Sequence, residues 1–202
     1  MHVPTLIHAV DVESNGGSPP EIIELSIVTI LDDETCEEPI TWLIRPVRPV
    51  TAIASRIHGI ADIDLIHSKN IDFLRGEITS VLRDDPIVAH NAHVDYNLLS
   101  RALPNWKPRS VHDTLRLARR TCPGLESYGL ANLLRHFSLT EGIQGCCATG
   151  PHRACYDAIG AARLFLSLMK HAASAGIGTA NAMTMSTLHA DDPNAAIQGL
   201  LF

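Results

Sequence analysis

The stretch His8-Ala-Val-Asp-Val-Glu-Ser-Asn-Gly-Gly17 decides the fold that the rest of the chain can adopt. It extends an apolar run that begins at Leu6 and it ends in turn residues, which is typical of a buried strand followed by a turn. Residues two apart in a strand share one face, so Asp11 and Glu13 point the same way. Neighbouring carboxylates repel each other unless a cation lies between them, and Mg²⁺ prefers oxygen ligands. For this motif alone, a strand that ends in an acidic turn is the simpler interpretation.

Further short segments favour β-strands. Glu21–Ile30 follows the turn closely enough to pair with the first strand as an antiparallel hairpin, and Ile40–Ile44 extends the meander to three strands. Pro86–His90 is short and largely apolar, as expected of a buried strand in a parallel arrangement. Ser110–Asp113 is predicted to form a short strand or a loop. One side of the sheet is therefore an antiparallel meander.

Helical spacing of apolar residues predicts helices between and after these strands. Asn70 and Asp113 are suited to cap two of them at the N-terminus. The proline-containing segment 46–55 indicates irregular structure. The predicted helices are a short one after Asp62 or Asp64, then Ile71–Leu82, one that follows Asn91–Asp95, Thr114–Arg120, Tyr128–His136 and Arg153–His171.

The composition describes an ordinary soluble chain. Its 202 residues are enough for one domain with a core and a tail, and 46% of them are hydrophobic and 19% charged. No apolar run approaches the roughly 20 residues that span a bilayer. The missing secretory signal pattern and five irregularly spaced cysteines favour a reducing cytoplasm. We predict one domain at 1–172 and a tail at 173–202 that is flexible or docks, on the domain or on a protein partner, through Leu200, Leu201 and Phe202.

Two more acidic residues and a histidine follow the predicted core elements. Asp95 comes after the apolar segment 86–90, and Asp157 lies in the last helix. His152 precedes Asp157 by five residues, which is a rotation of about 140° on a helix, so the two cannot share a helical face. Pro151 indicates that His152 lies in the loop before the helix, where its imidazole can approach a nucleophilic water. Four carboxylates and a histidine suit phosphoryl transfer with two metal ions, in which the histidine takes the proton of the water.

The acidic residues belong to three motifs, which are Asp11-Val-Glu-Ser-Asn-Gly16, His90-Asn-Ala-His-Val-Asp95 and His152-Arg-Ala-Cys-Tyr-Asp-Ala158. Supporting segments are Glu21–Leu25, Ile57–Ile60, Asp113–Ala118 and Ser127–Leu130. In this order and at these separations, the motifs resemble those of DnaQ-like 3′→5′ exonucleases of the DEDDh type. The resemblance covers about residues 5–170. It implies a ribonuclease H-like α/β fold with a mixed five-stranded sheet, in which the antiparallel meander joins parallel strands and helices flank the sheet.

The resemblance also implies a role for each matching acidic or histidine position. Asp11, Glu13 and Asp157 would ligate one Mg²⁺ or Mn²⁺ ion. Asp11 would also bridge to a second ion, which Asp95 would support through water. His152 would be the general base.

The same resemblance implies that Ser14, His58 and Asn91 line the site for the terminal nucleotide. Two positions depart from the family's pattern. Ser14-Asn15 replace a pair of threonines, and Val94 stands where an aromatic residue often precedes the aspartate of the second motif. Both departures are expected to concern nucleotide binding rather than metal binding.

Three functions are compatible with these residues. The first is a metal-dependent 3′→5′ exonuclease that releases nucleoside 5′-monophosphates from single-stranded DNA or RNA ends. The second is the same chemistry on a short oligonucleotide, a dinucleotide or another small phosphodiester, which the net charge of −6, the isoelectric point of about 6.0 and the missing basic tract favour. The third is a non-catalytic nucleic-acid-binding or scaffold module, which leaves the cluster of like charges without a physical reason.

Overall fold

A mixed five-stranded sheet is the centre of the computed structural model, which describes residues 6–32, 34–143 and 150–188. Its strands are β1 (Ile7–Ser14), β2 (Ile22–Ile30), β3 (Ile40–Leu43), β4 (Ile87–Ala89) and β5 (Val111–Asp113). The order is β3-β2-β1-β4-β5, with β1–β2 and β2–β3 antiparallel and β1–β4 and β4–β5 parallel. The predicted α/β fold, with its antiparallel meander and parallel strands, is confirmed.

Helices flank this sheet on both faces. In the described ranges they are α1 (Ala52–His58), α2 (Asp62–Leu65), α3 (Ile71–Leu82), α4 (His93–Ala102), α5 (Thr114–Thr121), α6 (Leu130–His136), α7 (Ala154–Ser174) and α8 (Thr179–Ser186). Asn70 caps α3 by accepting a hydrogen bond of 3.2 Å from Phe73 N, and Asp113 caps α5 in the same way. None of the helices in these ranges has the length and apolarity needed to cross a membrane. The cytoplasmic location stays a prediction.

The prediction of irregular structure throughout segment 46–55 is wrong, because α1 begins within it. Thr51 caps this helix by accepting a hydrogen bond of 3.2 Å from Ala54 N, and Gly59 ends it with a φ of 76°. The two prolines of the segment lie before the cap, where they do not interrupt helical hydrogen bonds. The sequence therefore does hold a start signal and a stop signal for α1, in Thr51 and Gly59.

The segment predicted as a tail begins with ordered structure, which the sequence did not indicate. Arg120 Nη1 donates a 2.7 Å hydrogen bond to the carbonyl of Met185, and the Ser186 hydroxyl lies 2.8 Å from His112 Nδ1. These contacts fasten α8 to the last strand and to α5. The predicted docking residues 200–202 lie outside the described residues, so that part of the tail stays a prediction.

The alternation of β1 directs its side chains into two different layers. Val10 and Val12 belong to the core beneath α3 and α4. Ala9 belongs to the opposite core, where α5, α6 and α7 cover the sheet. Asp11 and Glu13 share the face of Ala9 and therefore point towards α7.

Candidate active site

Carboxylates from two distant parts of the chain meet at the end of β1. Asp11 and Glu13 come from β1, and Asp157 comes from the first turn of α7. Carboxylate oxygens of the three residues all lie within 4.8 Å of one another. The structure thus brings together three of the predicted site residues, because α7 packs across the face of the sheet to which β1 directs its acidic side chains.

Asp95 joins this group through the backbone of β1. Within the described part of the chain, the pairing of β4 with β1 covers His8 and Ala9, so beyond that point the Val12 amide has no partner in β4. Asp95, in the first turn of α4, accepts a 3.0 Å hydrogen bond from Val12 N with its Oδ1 atom. The carboxylate is 5% exposed and lies where β1 and β4 diverge. The Asp95 carboxylate therefore lies in the gap between the parallel strands β1 and β4, next to Asp11, Glu13 and Asp157.

Burial and mutual repulsion raise the pKa of every carboxyl in this group. Burial is the main cause for Asp11, whose pKa is raised well above its usual range, with Asp95 and Asp157 adding to the effect. Burial, followed by Asp157, raises the pKa of Glu13 to about 8, and burial raises the pKa of Asp95 to about 8. Burial also raises the pKa of Asp157 to about 6. At neutral pH Asp11, Glu13 and Asp95 therefore resist ionisation unless positive charge is supplied, whereas Asp157 is largely ionised.

A hard divalent cation fits this arrangement. Three carboxylate oxygens within 4.8 Å can converge on one ion, and Mg²⁺ and Mn²⁺ both bind oxygen ligands of this kind. Arg153 brings a positive charge that lowers the pKa of Glu13, but its side chain is hydrogen-bonded to a different acid, Glu24. The residues present therefore suit a metal centre better than an internal ion pair.

Without metal, the acidic site should make the free energy of unfolding fall as the pH rises. Between about pH 7.5 and 8.5, folded Glu13 and Asp95 still hold part of the protons that the unfolded chain has released, so unfolding releases protons. Raising the pH in EDTA is therefore expected to lower the free energy of unfolding across this window. Desolvation lowers the pKa of each of four histidines, which are His8, His58, His90 and His112. Below about pH 7.5 they take up protons on unfolding and oppose the effect, whereas above it they are neutral in both states.

Urea unfolding in EDTA at constant ionic strength, repeated at several pH values, measures this dependence. Saturating Mg²⁺ provides the control. Because the ion binds ionised carboxylates, the stabilisation that it adds should grow as the pH rises. Stability that increases with pH in EDTA, over the same window, would contradict the acidic-site account.

His152 lies in the loop before α7, as the sequence predicted. Its φ is 61°, in the left-handed region that few non-glycine residues adopt, and its side chain is exposed. Its backbone N–H donates a 3.0 Å hydrogen bond to Asp157 Oδ2. The main chain of His152 is thus fixed against one predicted metal ligand, and its exposed imidazole lies close enough to Asp157 to lower the pKa of that carboxyl.

His58 connects α1 to the end of β1. Its Nδ1 accepts a 3.1 Å hydrogen bond from Ile60 N, so the ring proton belongs on Nε2, which donates to the carbonyl of Ser14 at 3.2 Å. The Ser14 hydroxyl accepts a hydrogen bond of 3.3 Å from Gly16 N. Both residues border the acidic group, and their predicted contact with a nucleotide stays a prediction.

Asn91 lies four residues before Asp95, at a φ of 65°. Its N–H donates a 3.1 Å hydrogen bond to Asp113 Oδ1. Its side-chain Oδ1 is buried, and no hydrogen-bond donor from the described residues reaches it. The predicted role of Asn91 in binding a nucleotide stays a prediction.

One departure from the family's pattern has a structural role. Asn15 is fully buried, and its Oδ1 accepts hydrogen bonds from Gly17 N at 3.0 Å and Glu21 N at 2.9 Å. Its Nδ2 donates to the carbonyl of Arg48. The side chain of Asn15 therefore orders the β1–β2 loop, and its expected effect on nucleotide binding stays a prediction. Val94 is 40% exposed next to Asp95.

The sequence interpretation missed Glu24 and Arg153. Glu24 lies in β2, of which all nine residues are buried, and the carboxylate is 2% exposed. It bonds to the Arg153 side chain and to Ala154 N at the start of α7. An acid within a strand of otherwise uncharged residues was the available signal, because such a group requires a buried partner.

The RNase_T exonuclease family matches residues 9–165, and the chain belongs to that family. The PolC-type DNA polymerase III of Thermotoga maritima is 33% identical over 177 residues, which are 83% of this chain and 12% of that protein. The DNA polymerase III subunit epsilon of Treponema pallidum is 29% identical over 179 residues, which are 85% of this chain and 80% of that protein. The chain therefore spans only 12% of the length of the PolC-type relatives from Thermotoga and Bacillus subtilis.

A solved structure of Exonuclease X in complex with 5′ overhanging duplex DNA superposes with a TM-score of 0.72 and 27% identity. The match covers 89% of this chain and 98% of that one. Together with the family match, it confirms the resemblance to DnaQ-like exonucleases with a ribonuclease H-like fold. Exonucleases of this family depend on divalent metal ions, in agreement with the acidic group at Asp11, Glu13 and Asp157.

Proposed function

We propose that this protein is a metal-dependent 3′→5′ exonuclease that hydrolyses the terminal phosphodiester bond of a nucleic acid strand and releases a nucleoside 5′-monophosphate. The observation that carries the proposal is the convergence of Asp11, Glu13 and Asp157 within 4.8 Å, with buried Asp95 beside them. Family membership supports the same reaction. A cluster of four acids, of which Asp95 is buried and the other three are partly exposed, has a chemical purpose in phosphoryl transfer and none in packing.

The acidic residues and His152 have separate roles in the reaction. Asp11, Glu13 and Asp157 would hold one Mg²⁺ or Mn²⁺ ion, and Asp11 with Asp95 would hold a second. Bound there, the ions would stabilise the negative charge that develops on the phosphate and its attacking and leaving oxygens. His152 takes the proton of the attacking water at an imidazole nitrogen as the water oxygen bonds to phosphorus and the 3′ oxygen departs.

The decisive assay follows a strand labelled at its 5′ end, in matched single-stranded DNA, RNA and dinucleotide forms. Stepwise shortening from the 3′ end with Mg²⁺ or Mn²⁺, and none with EDTA, is the expected result. The ranking of the three substrates separates a nuclease from an enzyme for small phosphodiesters. If folded protein with bound metal shortens none of them, the proposed function is wrong.

His152→Ala is expected to lower kcat by about 10²- to 10⁴-fold, because the water then loses its proton acceptor. KM and the affinity for Mn²⁺ should change little, since the backbone N–H that bonds to Asp157 is retained. Single-turnover cleavage and Mn²⁺ titration measure the two quantities. His67→Ala, at an exposed histidine before α3, is the matched control and should cleave at the wild-type rate. Equal rates for both variants would remove His152 from the mechanism.

A basic surface leads away from the site along α5. This helix carries Arg116, Arg119 and Arg120 and has no acidic residue, in a chain whose net charge is −6. Its cap, Asp113, bonds to Asn91 next to the site, and Arg119 lies over Tyr128 with 5.9 Å between guanidinium carbon and ring centroid. We place the phosphates of the bound strand along this helix.

Arg119→Gln is therefore expected to weaken binding of a DNA strand several-fold at low salt. The slope of the logarithm of affinity against the logarithm of salt concentration should fall by about 1, because one phosphate contact is lost. Fluorescence anisotropy at several salt concentrations, with Ca²⁺ in place of the active metal, measures the slope. Lys170→Gln, near the far end of α7, is the control. An unchanged slope in Arg119→Gln would exclude this path.

A further inference from the structure

Glu24 and Arg153 form a buried contact beside the acidic group without belonging to it. Arg153 Nη2 lies 2.6 Å from Glu24 Oε1, and Arg153 Nε lies 3.0 Å from Oε2, which is a two-pronged ion pair. Glu24 Oε2 also accepts a 2.9 Å hydrogen bond from Ala154 N. We call these two side chains the Glu24–Arg153 clamp. The Glu24 carboxylate is 2% exposed, whereas the Arg153 side chain is 27% exposed, so the contact is buried on the side of the acid.

The clamp holds the chain immediately after His152. Arg153 is the N-cap residue of α7, and Ala154 is the first residue of the helix. The Arg153 side chain accepts no capping hydrogen bond from the N–H groups of α7. The free N–H groups at a helix start need acceptors, and Glu24 supplies one from a neighbouring strand. Both residues that follow His152 are therefore attached to β2.

The register of the sheet relates this attachment to the acidic group. Glu24 of β2 lies directly opposite Glu13 of β1. The start of α7 is thus fixed at the same level of the sheet as a predicted metal ligand. One turn further along α7 lies Asp157, which in turn bonds to the amide of His152.

The backbone of His152 needs such support. A φ of 61° in a histidine costs free energy and persists only where the surrounding structure imposes it. His152 has an exposed side chain, so its own packing does not impose that conformation. The two residues on its C-terminal side are held by Glu24, and its own N–H is held by Asp157.

We infer that Glu24 and Arg153 are positioning residues for His152: the clamp holds the backbone of His152 in the conformation that directs the imidazole to the acidic group. The inference rests on the proposed function in so far as His152 acts as the base. The clamp touches neither the substrate nor the reacting atoms. Its loss should reduce turnover and leave metal binding and substrate binding intact.

The test variant is the double substitution Glu24→Gln with Arg153→Met. Arg153→Met alone would leave a buried carboxylate unpaired and could unfold the chain, whereas removing both charges avoids this. The glutamine introduced at position 24 keeps an oxygen that can accept from Ala154 N, so the helix start retains its hydrogen bond. The matched control is Glu34→Gln with Lys170→Met, which removes a 2.9 Å surface pair. Thermal unfolding establishes that both double variants are folded.

The clamp variant should lower kcat roughly 10- to 100-fold at unchanged KM, the size of effect expected when a catalytic group is displaced by about 1 Å. In a His152→Ala background the same double substitution should have no further effect, because the group that it positions is gone. Arg153→Lys keeps the positive charge but cannot form the two-pronged ion pair, so it should give an intermediate rate. Equal losses with and without His152, or no loss at all, would overturn the inference.

A second readout does not depend on turnover. In protein labelled with ¹³C on its histidines, the His152 signal is the one that is missing from His152→Ala. Mn²⁺ should broaden it strongly in the wild type and in the control pair, and less in the clamp variant. Equal broadening in all three proteins, or none in the wild type, would overturn the inference. If no substrate is cleaved, the proposed function fails, and this comparison still decides whether the clamp positions His152.

Discussion

Asp11→Asn should reduce kcat for phosphodiester hydrolysis by about 10³-fold or more, because it removes a ligand from both proposed ions and each supplies several kcal/mol of charge stabilisation. The substitution keeps the shape of the side chain and removes its charge. Asp11 is the residue to choose because Asp95, Asp157 and Glu13 all act on its pKa, so it lies at the centre of the group. Single-turnover cleavage at saturating Mg²⁺ measures the loss.

The same substitution should have the opposite effect on stability in EDTA. An uncharged amide at position 11 replaces a carboxyl whose ionised form the folded state disfavours, so the free energy of unfolding without metal at neutral pH should rise. The control is Asp84→Asn, at an exposed aspartate that lies 3.5 Å from an Arg109 nitrogen. It should change neither kcat nor the free energy of unfolding in EDTA. Retained hydrolysis in Asp11→Asn would refute the proposed site, and a loss of stability in EDTA would show that the carboxylate is held by favourable contacts.

Gly16→Ala should cost about 3 kcal/mol of the free energy of unfolding, since it combines an unfavourable backbone with a clash. Gly16 has a φ of 68°, and a β-carbon there would lie 2.5 Å from Thr51 Oγ1 and 2.9 Å from Ala54 Cβ. Thr51 is the cap of α1, so the clash pushes this helix away from β1. Urea unfolding with saturating Mg²⁺ gives the change.

Gly59→Ala separates the cost of the left-handed backbone from the cost of the clash. Gly59 has a similar φ of 76°, but no atom of the residues that the structure describes lies within 4 Å of a β-carbon built there. Gly59→Ala should therefore lower the free energy of unfolding by only about 1 kcal/mol, which is the cost of placing alanine in the left-handed backbone region. Equal losses in the two variants would mean that α1 moves aside freely and that its position against β1 is loosely held.

The sheet and the acidic group could be predicted because both are encoded by short patterns. Alternation places Asp11 and Glu13 on one face, and Pro151 separates His152 from the helix that carries Asp157. Each of these inferences needs only neighbouring residues. The fold then follows because strands of this kind have few ways to pair.

The features that were missed depend on partners that are distant in sequence. The lone acid Glu24 in β2 indicates that a partner is needed, but that partner, Arg153, lies 129 positions later. The structural role of Asn15 includes a hydrogen bond to the carbonyl of Arg48, 33 positions later. α8 has little amphipathic pattern of its own, and its position comes from contacts of Met185 and Ser186 with the domain.

The bond between Val12 N and Asp95 joins residues 83 positions apart, and it has a consequence for the kinetics of folding. The ligands of a metal ion come together only after β1 has paired with β4 and α7 has docked, which are late, long-range events. An ion that binds only the finished arrangement leaves the folding rate nearly unchanged and slows unfolding. Metal availability would therefore set how long a folded molecule lasts rather than how quickly it forms.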